Sequence, residues 1–393
     1  MTVSIIGTAH TKFGKLDEDV YQLLVKAGSE ALEDSQVEAK VIDGIWIGNY
    51  SGGGFNNQEH LAPIALDIHP DLRFTPATRV ENACASGSAA IRAAKNAIEA
   101  GECEYALVIG VEKMNQLDTK GVTKVLAMAS HWEKEAKFGL TFPGLFAEFA
   151  KGYMKEYDIS EEEMRDTLAM ISSKNYRNAL ENPYAHLPLD LSKEDVLNLP
   201  DKKNPMIAYP LRLNDCSLVS DGAAAIVLTR TENAKKMEKD AVEIASLVHI
   251  TDYLELEKRP QYVFEGSKVA VDQAYEKANI TVDDLDFAEV HDCFTIAELL
   301  AYNAIGLVEN GKEREVLLDG TVSKEGKLPV NISGGLKAKG HPVGTTGVSM
   351  AVLATRQLLG NAIGYQLENP KVGLTLNFGG SAVSSYATVF KKL

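Results

Sequence analysis

Two stretches of this chain run parallel without a gap. AGSEALEDSQVEAKVIDGIWIGN begins at Ala27, and AVDQAYEKANITVDDLDFAEVHD begins at Ala270. In that register Ala31 falls on Ala274, Glu33 on Glu276, Val37 on Ile280, Ile42 on Leu285, Asp43 on Asp286 and Ile47 on Val290. Each stretch has the period of an amphipathic helix, then a short acidic turn, then an apolar strand ending in a small or polar residue. A repeated helix–strand unit commits the chain to two like halves, and 393 residues are enough for two cores.

The later part of each half rhymes more loosely. ACASGSAAIRAAKNAIEAG is a helix rich in Ala, Gly and Ser that leads into the strand YALVIG (105–110). GTTGVSMAVLATRQLLG leads in the same way to VGLTLNFGG (372–380). Strands apolar on both faces and separated by helices indicate an α/β fold with helix-covered sheets. Between about 115 and 218 the chain changes character, with charged amphipathic helices such as ISEEEMRDTLAMISSKNYRNAL and turns marked by Asn182-Pro183, Asn204-Pro205 and Tyr209-Pro210. This stretch reads as an excursion lying on top of the first half and covering the active site. SDGAAAIVLTR (220–230) then closes the first half, giving expected units of 1–235 and 236–393.

Charge narrows the partners. With 40 Lys+Arg against 55 Asp+Glu, the formal charge of −15 would repel a phosphate backbone, so nucleic-acid binding is not expected. An anionic substrate must be met by local cations or backbone N–H groups. No apolar run approaches the roughly 18 residues of a membrane span. The start, MTVSIIGTAHTKFG, reads as a strand entering a turn rather than a secretory leader. Four cysteines without a CxxC pair fit a reducing cytoplasm better than a disulfide framework.

Four reactive side chains sit in three short segments. Cys84 stands where RVENA gives way to the small-residue helix, and a helix N-terminus favours a thiolate; a buried structural cysteine is the plainer alternative. His341 lies in GGLKAKGHPVGTTG, where glycines permit positive φ and Pro342 restrains the histidine to extended dihedrals. A satisfied loop histidine is the alternative there. His291 and Cys293 in HDCF follow the strand DFAEV, at the end where ligands of open α/β sheets bind, and alternate so that both can face one side. Two Cys and two His also make a zinc reading possible, although the spacing lacks paired ligands. LNFGGSA (376–382) supplies glycine backbone whose free N–H groups suit an oxyanion, or simply a tight strand end.

With these segments side by side, the whole chain resembles the thiolase superfamily. The resemblance implies two βαβαβαββ halves in a five-layer α-β-α-β-α arrangement with an inserted loop domain. The chain departs from the best-known thiolases, having HDCF in place of NEAF and Asn377 in place of a second catalytic cysteine. Cys293 is the replacement thiol in the HDCF-bearing branch, which includes the sterol-carrier-protein-fused kind and archaeal acetoacetyl-CoA thiolases. The resemblance assigns Cys84 as nucleophile, His341 as the base activating it and an oxyanion donor, Cys293 as the acid/base at the α-carbon, His291 as a donor to the enolate oxygen, and the backbone N–H of Gly380 to the acyl oxyanion. It implies acetyl-CoA and acetoacetyl-CoA as substrate and product, coenzyme A as the carrier, no other cofactor and no metal. It further implies a homodimer or homotetramer, a place before isoprenoid synthesis, and association of some relatives with hydroxymethylglutaryl-CoA synthase through a small zinc-bearing OB-fold protein. Two rivals stay open: a ketoacyl synthase using Cys84, His291 and His341, and a silent acyl-CoA-binding scaffold. Candidate pocket residues are His131, Trp132, Phe138, Phe142 and Phe146. Candidate contacts to CoA phosphates are Lys113, Lys120, Lys124, Arg177, Lys202 and Arg212.

Overall fold

The computed structural model describes residues 2–237 and 239–393. The first half runs β1 (Val3–His10), α1 (Val20–Ser35), β2 (Gly44–Gly48), β3 (Ala77–Val80), α2 (Ser86–Ala100) and β4 (Tyr105–Glu112). The excursion follows with α3 (Thr119–Ala127), α4 (Phe142–Glu156) and α5 (Glu161–Asn178), and β5 (Gly222–Arg230) closes the half. The second half runs β6 (Val242–Thr251), α6 (Glu265–Ala278), β7 (Phe287–Val290), α7 (Thr295–Ala304), α8 (Thr346–Leu359), β8 (Val372–Gly379) and β9 (Ser384–Lys392).

The repeat in sequence is a repeat in structure. Helices α1 and α6 end at aligned residues, and the aligned residues after them, Gln36 (φ 60°) and Asn279 (φ 51°), both close the helix in the left-handed conformation. Gly101 and Gly360 do the same after α2 and α8. The nine strands lie in the order β3-β2-β4-β5-β1-β6-β9-β8-β7. The halves meet where β1 pairs antiparallel with β6 (Val3 on Ile244, Ile5 on Val242). Outward from that seam the order is the same on both sides, because Val330 bridges Ala288 beside β7 in the place that β3 holds beside β2.

Helices α2 and α8 pack on each other between the two halves of the sheet, and α1 and α6 pack on the strands of the first and the second half, giving five layers. The central layer requires bare backbone. A Cβ on Gly87 would sit 2.8 Å from the backbone nitrogen of Val348, and one on Gly347 would sit 2.3 Å from that of Ser88. Both helices therefore direct their N-terminal ends into one place.

The excursion does not rest on the first half alone, as the chain order suggested. Phe146 and Phe149 of α4 and Leu168 and Ile171 of α5 share one apolar cluster with Leu299, Leu300 and Phe378 of the second half. Buried apolar area decides where a segment packs, and these faces found theirs across the seam. The excursion thus closes over the ends of both halves. Among the described residues, no helix is long and apolar enough to cross a membrane.

Candidate active site

Cys84 stands on a tight turn between β3 and α2. Asn82 accepts from the N–H of Ala85 at 3.0 Å, Ala83 accepts from that of Ser86 at 3.1 Å, and Ala83 is held at a φ of 50°. That strained conformation at a non-glycine residue is over-determined by the hydroxyl of Ser86, which donates to the carbonyl of Ala83 at 2.6 Å and accepts from the N–H of Asn82 at 2.9 Å. Burial pushes the Cys84 thiol up to about 12, and the buried carboxylate of Glu112 adds to this; the N–H groups of Gly380 and of Cys84 itself pull the other way. Those two N–H groups are the donors an oxyanion at an acyl-Cys84 would meet. Gly380 turns at a φ of 65° to offer its own.

The sulfur of Cys84 and a ring nitrogen each of His291 and His341 lie within 4.8 Å of one another. The two imidazoles stand edge to face, with centroids 5.0 Å apart. Their neighbours fix opposite tautomers. Thr346 spends its hydroxyl proton on the carbonyl of Pro342 at 3.1 Å, so at 2.7 Å its oxygen accepts Nδ1–H of His341. Nε2 of His341 is left with its lone pair. Asn377 donates through Nδ2 to Nδ1 of His291 at 2.9 Å, and its Oδ1 accepts from Ser88 at 2.8 Å. Nε2 of His291 therefore carries the proton. Both Nε2 atoms are buried without a protein partner. One face of the site thus offers a base and the other a donor. Both rings are held neutral: burial, then the charge of Lys339, brings His341 down to about 3, and burial, then His341, holds His291 well below the usual imidazole range.

Cys293 lines the same cavity as Cys84, His341 and Gly380. Burial, then Cys84, holds its thiol well above the usual range. Cys293 stands outside the close trio of Cys84, His291 and His341, so the four-ligand zinc set considered from the sequence does not assemble among the described residues.

Two buried carboxylates tie the motif segments together. Asp292 of HDCF accepts the N–H groups of Leu336 and Lys337 at 2.6 and 3.1 Å and the amide of Asn175 at 2.8 Å, fastening the glycine loop and α5 to the HDCF turn. Glu112, at the end of β4, accepts from Tyr50 at 2.8 Å and from Gly344 at 3.0 Å. It joins the first half to the GHPVG turn. Sequence reasoning missed both, along with Ser88, Thr346, the role of Asn377, and Cys216, a third thiol lining the cavity. Ordinary polar residues carry no local pattern that reveals such partners.

The cavity has a volume of about 360 Å³ and mostly apolar walls. Tyr50, Met114, Val122 and Leu126, which share an apolar cluster with Cys84, line it together with Phe142, Ile207, Leu213 and Phe294. Of the aromatic residues expected to line it, only Phe142 does. Phe146 is fully buried and stacks on Phe294 from behind, with centroids 4.6 Å apart. Trp132 and Phe138 are exposed, and His131 lies off the cavity wall. The phosphate candidates also thin out. Lys113 is buried against Asp221 at 3.0 Å, so it is a structural cation. Arg177 pairs with Asp190 and Arg212 with Asp201. Lys202 is exposed, as are Lys120 and Lys124 on α3, the helix whose Val122 and Thr123 line the cavity.

The thiolase N-terminal domain model matches residues 3–232, and the thiolase C-terminal domain-like model matches residues 249–392. This chain belongs to the thiolase family. The thiolase is 38% identical to acetyl-CoA acetyltransferase of Methanothermobacter thermautotrophicus over 99% of both chains. It is 39% identical to the acetyl-CoA acetyltransferase of Methanocaldococcus jannaschii over 96% of both. Among solved structures, the Ltp2-ChsH2(DUF35) aldolase has the same fold, with a TM-score of 0.81 at 21% identity, covering 100% of the thiolase and 98% of that chain.

Proposed function

We propose that this thiolase joins two molecules of acetyl-CoA into acetoacetyl-CoA and releases CoA, and runs the reverse thiolysis, through an acetyl group on Cys84. The observation that carries the reading is the pair of imidazoles locked in opposite tautomers beside Cys84, with a second thiol on the same cavity. Nε2 of His341 takes the proton of Cys84, and the thiolate attacks the thioester carbonyl. The oxyanion rests on the N–H groups of Cys84 and Gly380. The C–S bond to CoA breaks, and the CoA thiolate leaves with the proton of Cys293. The Cys293 thiolate then removes an α-proton from a second acetyl-CoA. The enolate oxygen accepts from Nε2–H of His291 and from the now protonated Nε2 of His341. Carbon attacks the acetyl group, Cys84 departs, and His341 returns its proton. A positioned base and an oxyanion donor each contribute about two to four powers of ten.

The names of the archaeal relatives favour acetyl-CoA as substrate. Cys293 favours a thiolase over a decarboxylating synthase, which makes its carbanion without a base. We place the reaction in the cytoplasm at the entry to isoprenoid synthesis. The half-exposed edge strand β3 supports pairing of two copies, as homodimer or homotetramer. Hydroxymethylglutaryl-CoA synthase, through a small zinc-bearing OB-fold protein, is the proposed onward partner. The test is turnover: acetyl-CoA alone should give acetoacetyl-CoA. Condensation only with malonyl thioesters would favour the synthase, and none with either the scaffold.

A further inference from the structure

One fully buried charge near the site takes no part in the proposed steps. Lys339 precedes Gly340 and His341, and its side chain is 0% exposed. Its ammonium donates to Oγ of Ser349 at 3.0 Å, and Ser349 donates in turn to Nε2 of His10 at 2.8 Å. His10 gives its Nδ1–H to the carbonyl of Thr11 at 2.6 Å, which fixes the direction of that chain. Among the described residues, no carboxylate lies within 4.0 Å of the ammonium; such a pair would be a salt bridge, and Lys339 forms none. The neighbouring Lys337 points elsewhere, onto the hydroxyl of Tyr176 at 2.7 Å.

An isolated buried ammonium is costly, and a fold keeps one only where something offsets it. The charged and titratable groups around Lys339 come from four elements. Glu289 of β7 and Asp292 of HDCF act on it from the second half, and each is engaged by other donors, Glu289 by Ser333 and Asp292 by the glycine loop. His10 of β1 lies beyond Ser349, and Arg356 of α8, bonded to Thr8, acts on His10 in turn. His341 and His291 lie in front, and both feel its charge. The reaction puts negative charge on an oxygen held by these imidazoles and gives the cavity no cation besides the transient imidazolium of His341.

We propose that Lys339 is a positioning residue whose buried charge, acting through the two imidazoles, stabilises the enolate and drives the His341 proton back to sulfur. The inference rests on the proposed condensation. Burial brings the Lys339 ammonium down to about 8, so its charge is lost on the alkaline side of neutrality.

The test compares Lys339→Met and Lys339→Arg in steady-state thiolysis and condensation across pH, with thermal unfolding as a check on folding. The Met variant should lose about a hundredfold in kcat with KM within about threefold, in the range of one lost oxyanion donor. The Arg variant should keep kcat within about tenfold, and its alkaline limb should move up by about a pH unit or more, because guanidinium stays charged. A Met variant within tenfold of wild type would overturn the inference. So would an Arg variant as slow as Met, or one whose alkaline limb stays in place. If the Met variant fails to fold, the limb of the Arg variant decides alone. Wild-type turnover on acetyl-CoA esters is measured first. Its absence refutes the substrate reading, and the Lys339 comparison then uses whichever 3-oxoacyl-CoA the wild type cleaves.

Discussion

Asn377 holds His291 by Nδ1, donating to it from Nδ2 at 2.9 Å and leaving Nε2 to carry the proton. The same amide reaches the carbonyl of Cys84 at 3.3 Å, so one side chain spans the nucleophile and the proton donor. In place of a second catalytic thiol, this position holds a clamp. Asn377→Leu should therefore slow carbon–carbon bond formation by about 10- to 100-fold while leaving acetylation of Cys84 within a few-fold, because only the second step needs Nε2–H of His291. Rapid-quench acetylation compared with steady-state condensation separates the two. Equal losses in both steps would contradict the clamp.

Thr346 plays the matching part for His341. Thr346→Val keeps the shape but removes the acceptor for Nδ1–H, freeing the ring to take the wrong tautomer. The expected loss in kcat is about 10- to 100-fold, with Thr346→Ser close to wild type. Steady-state kinetics of the pair checks this; similar activity in the Val and Ser variants would refute it.

The resting site is uncharged, with the Cys84 thiol pushed up to about 12 and His341 down to about 3. A raised thiol pKa means more thiolate as pH rises and very little at neutrality. Alkylation of Cys84 by iodoacetamide should therefore be slower than that of a free thiol at pH 7 and climb steadily through pH 10. A plateau below pH 8, followed by peptide mapping to Cys84, would instead mean a preformed thiolate–imidazolium pair.

The central helix crossing admits no side chain. A methyl group on Gly347 would press on the backbone nitrogen and Oγ of Ser88 and lie 2.9 Å from Oδ1 of Asn377. Gly347→Ala should cost about 1–3 kcal/mol in urea unfolding and also reduce activity, since Ser88 and Asn377 belong to the His291 clamp. Gly360→Ala, with open space around its Cβ but a φ of 83°, should leave activity unchanged and lower stability only through backbone strain.

The two halves were legible because a repeat of helix, acidic turn and strand survives in the spacing of Ala31 and Ala274, Ile42 and Leu285. The reactive residues were legible because sulfur and imidazole on glycine-rich turns are rare. Asp292 and Glu112 were not, since a carboxylate reads as surface until its three or four tertiary donors are in place. Lys113 misled for the converse reason: its partner Asp221 lies 108 residues away. The aromatic residues at 132 and 138 misled because apolar type does not say which side of a loop faces the cavity.

The central claim divides the labour between two thiols, and Cys293→Ala examined with acetyl-CoA tests it most directly. Peptide mapping should find the acetyl group on Cys84 in this variant as in the wild type, while exchange of the acetyl-CoA α-protons into deuterated water falls to background. Exchange at the wild-type rate, or an acetyl group carried on any residue other than Cys84, would contradict the account.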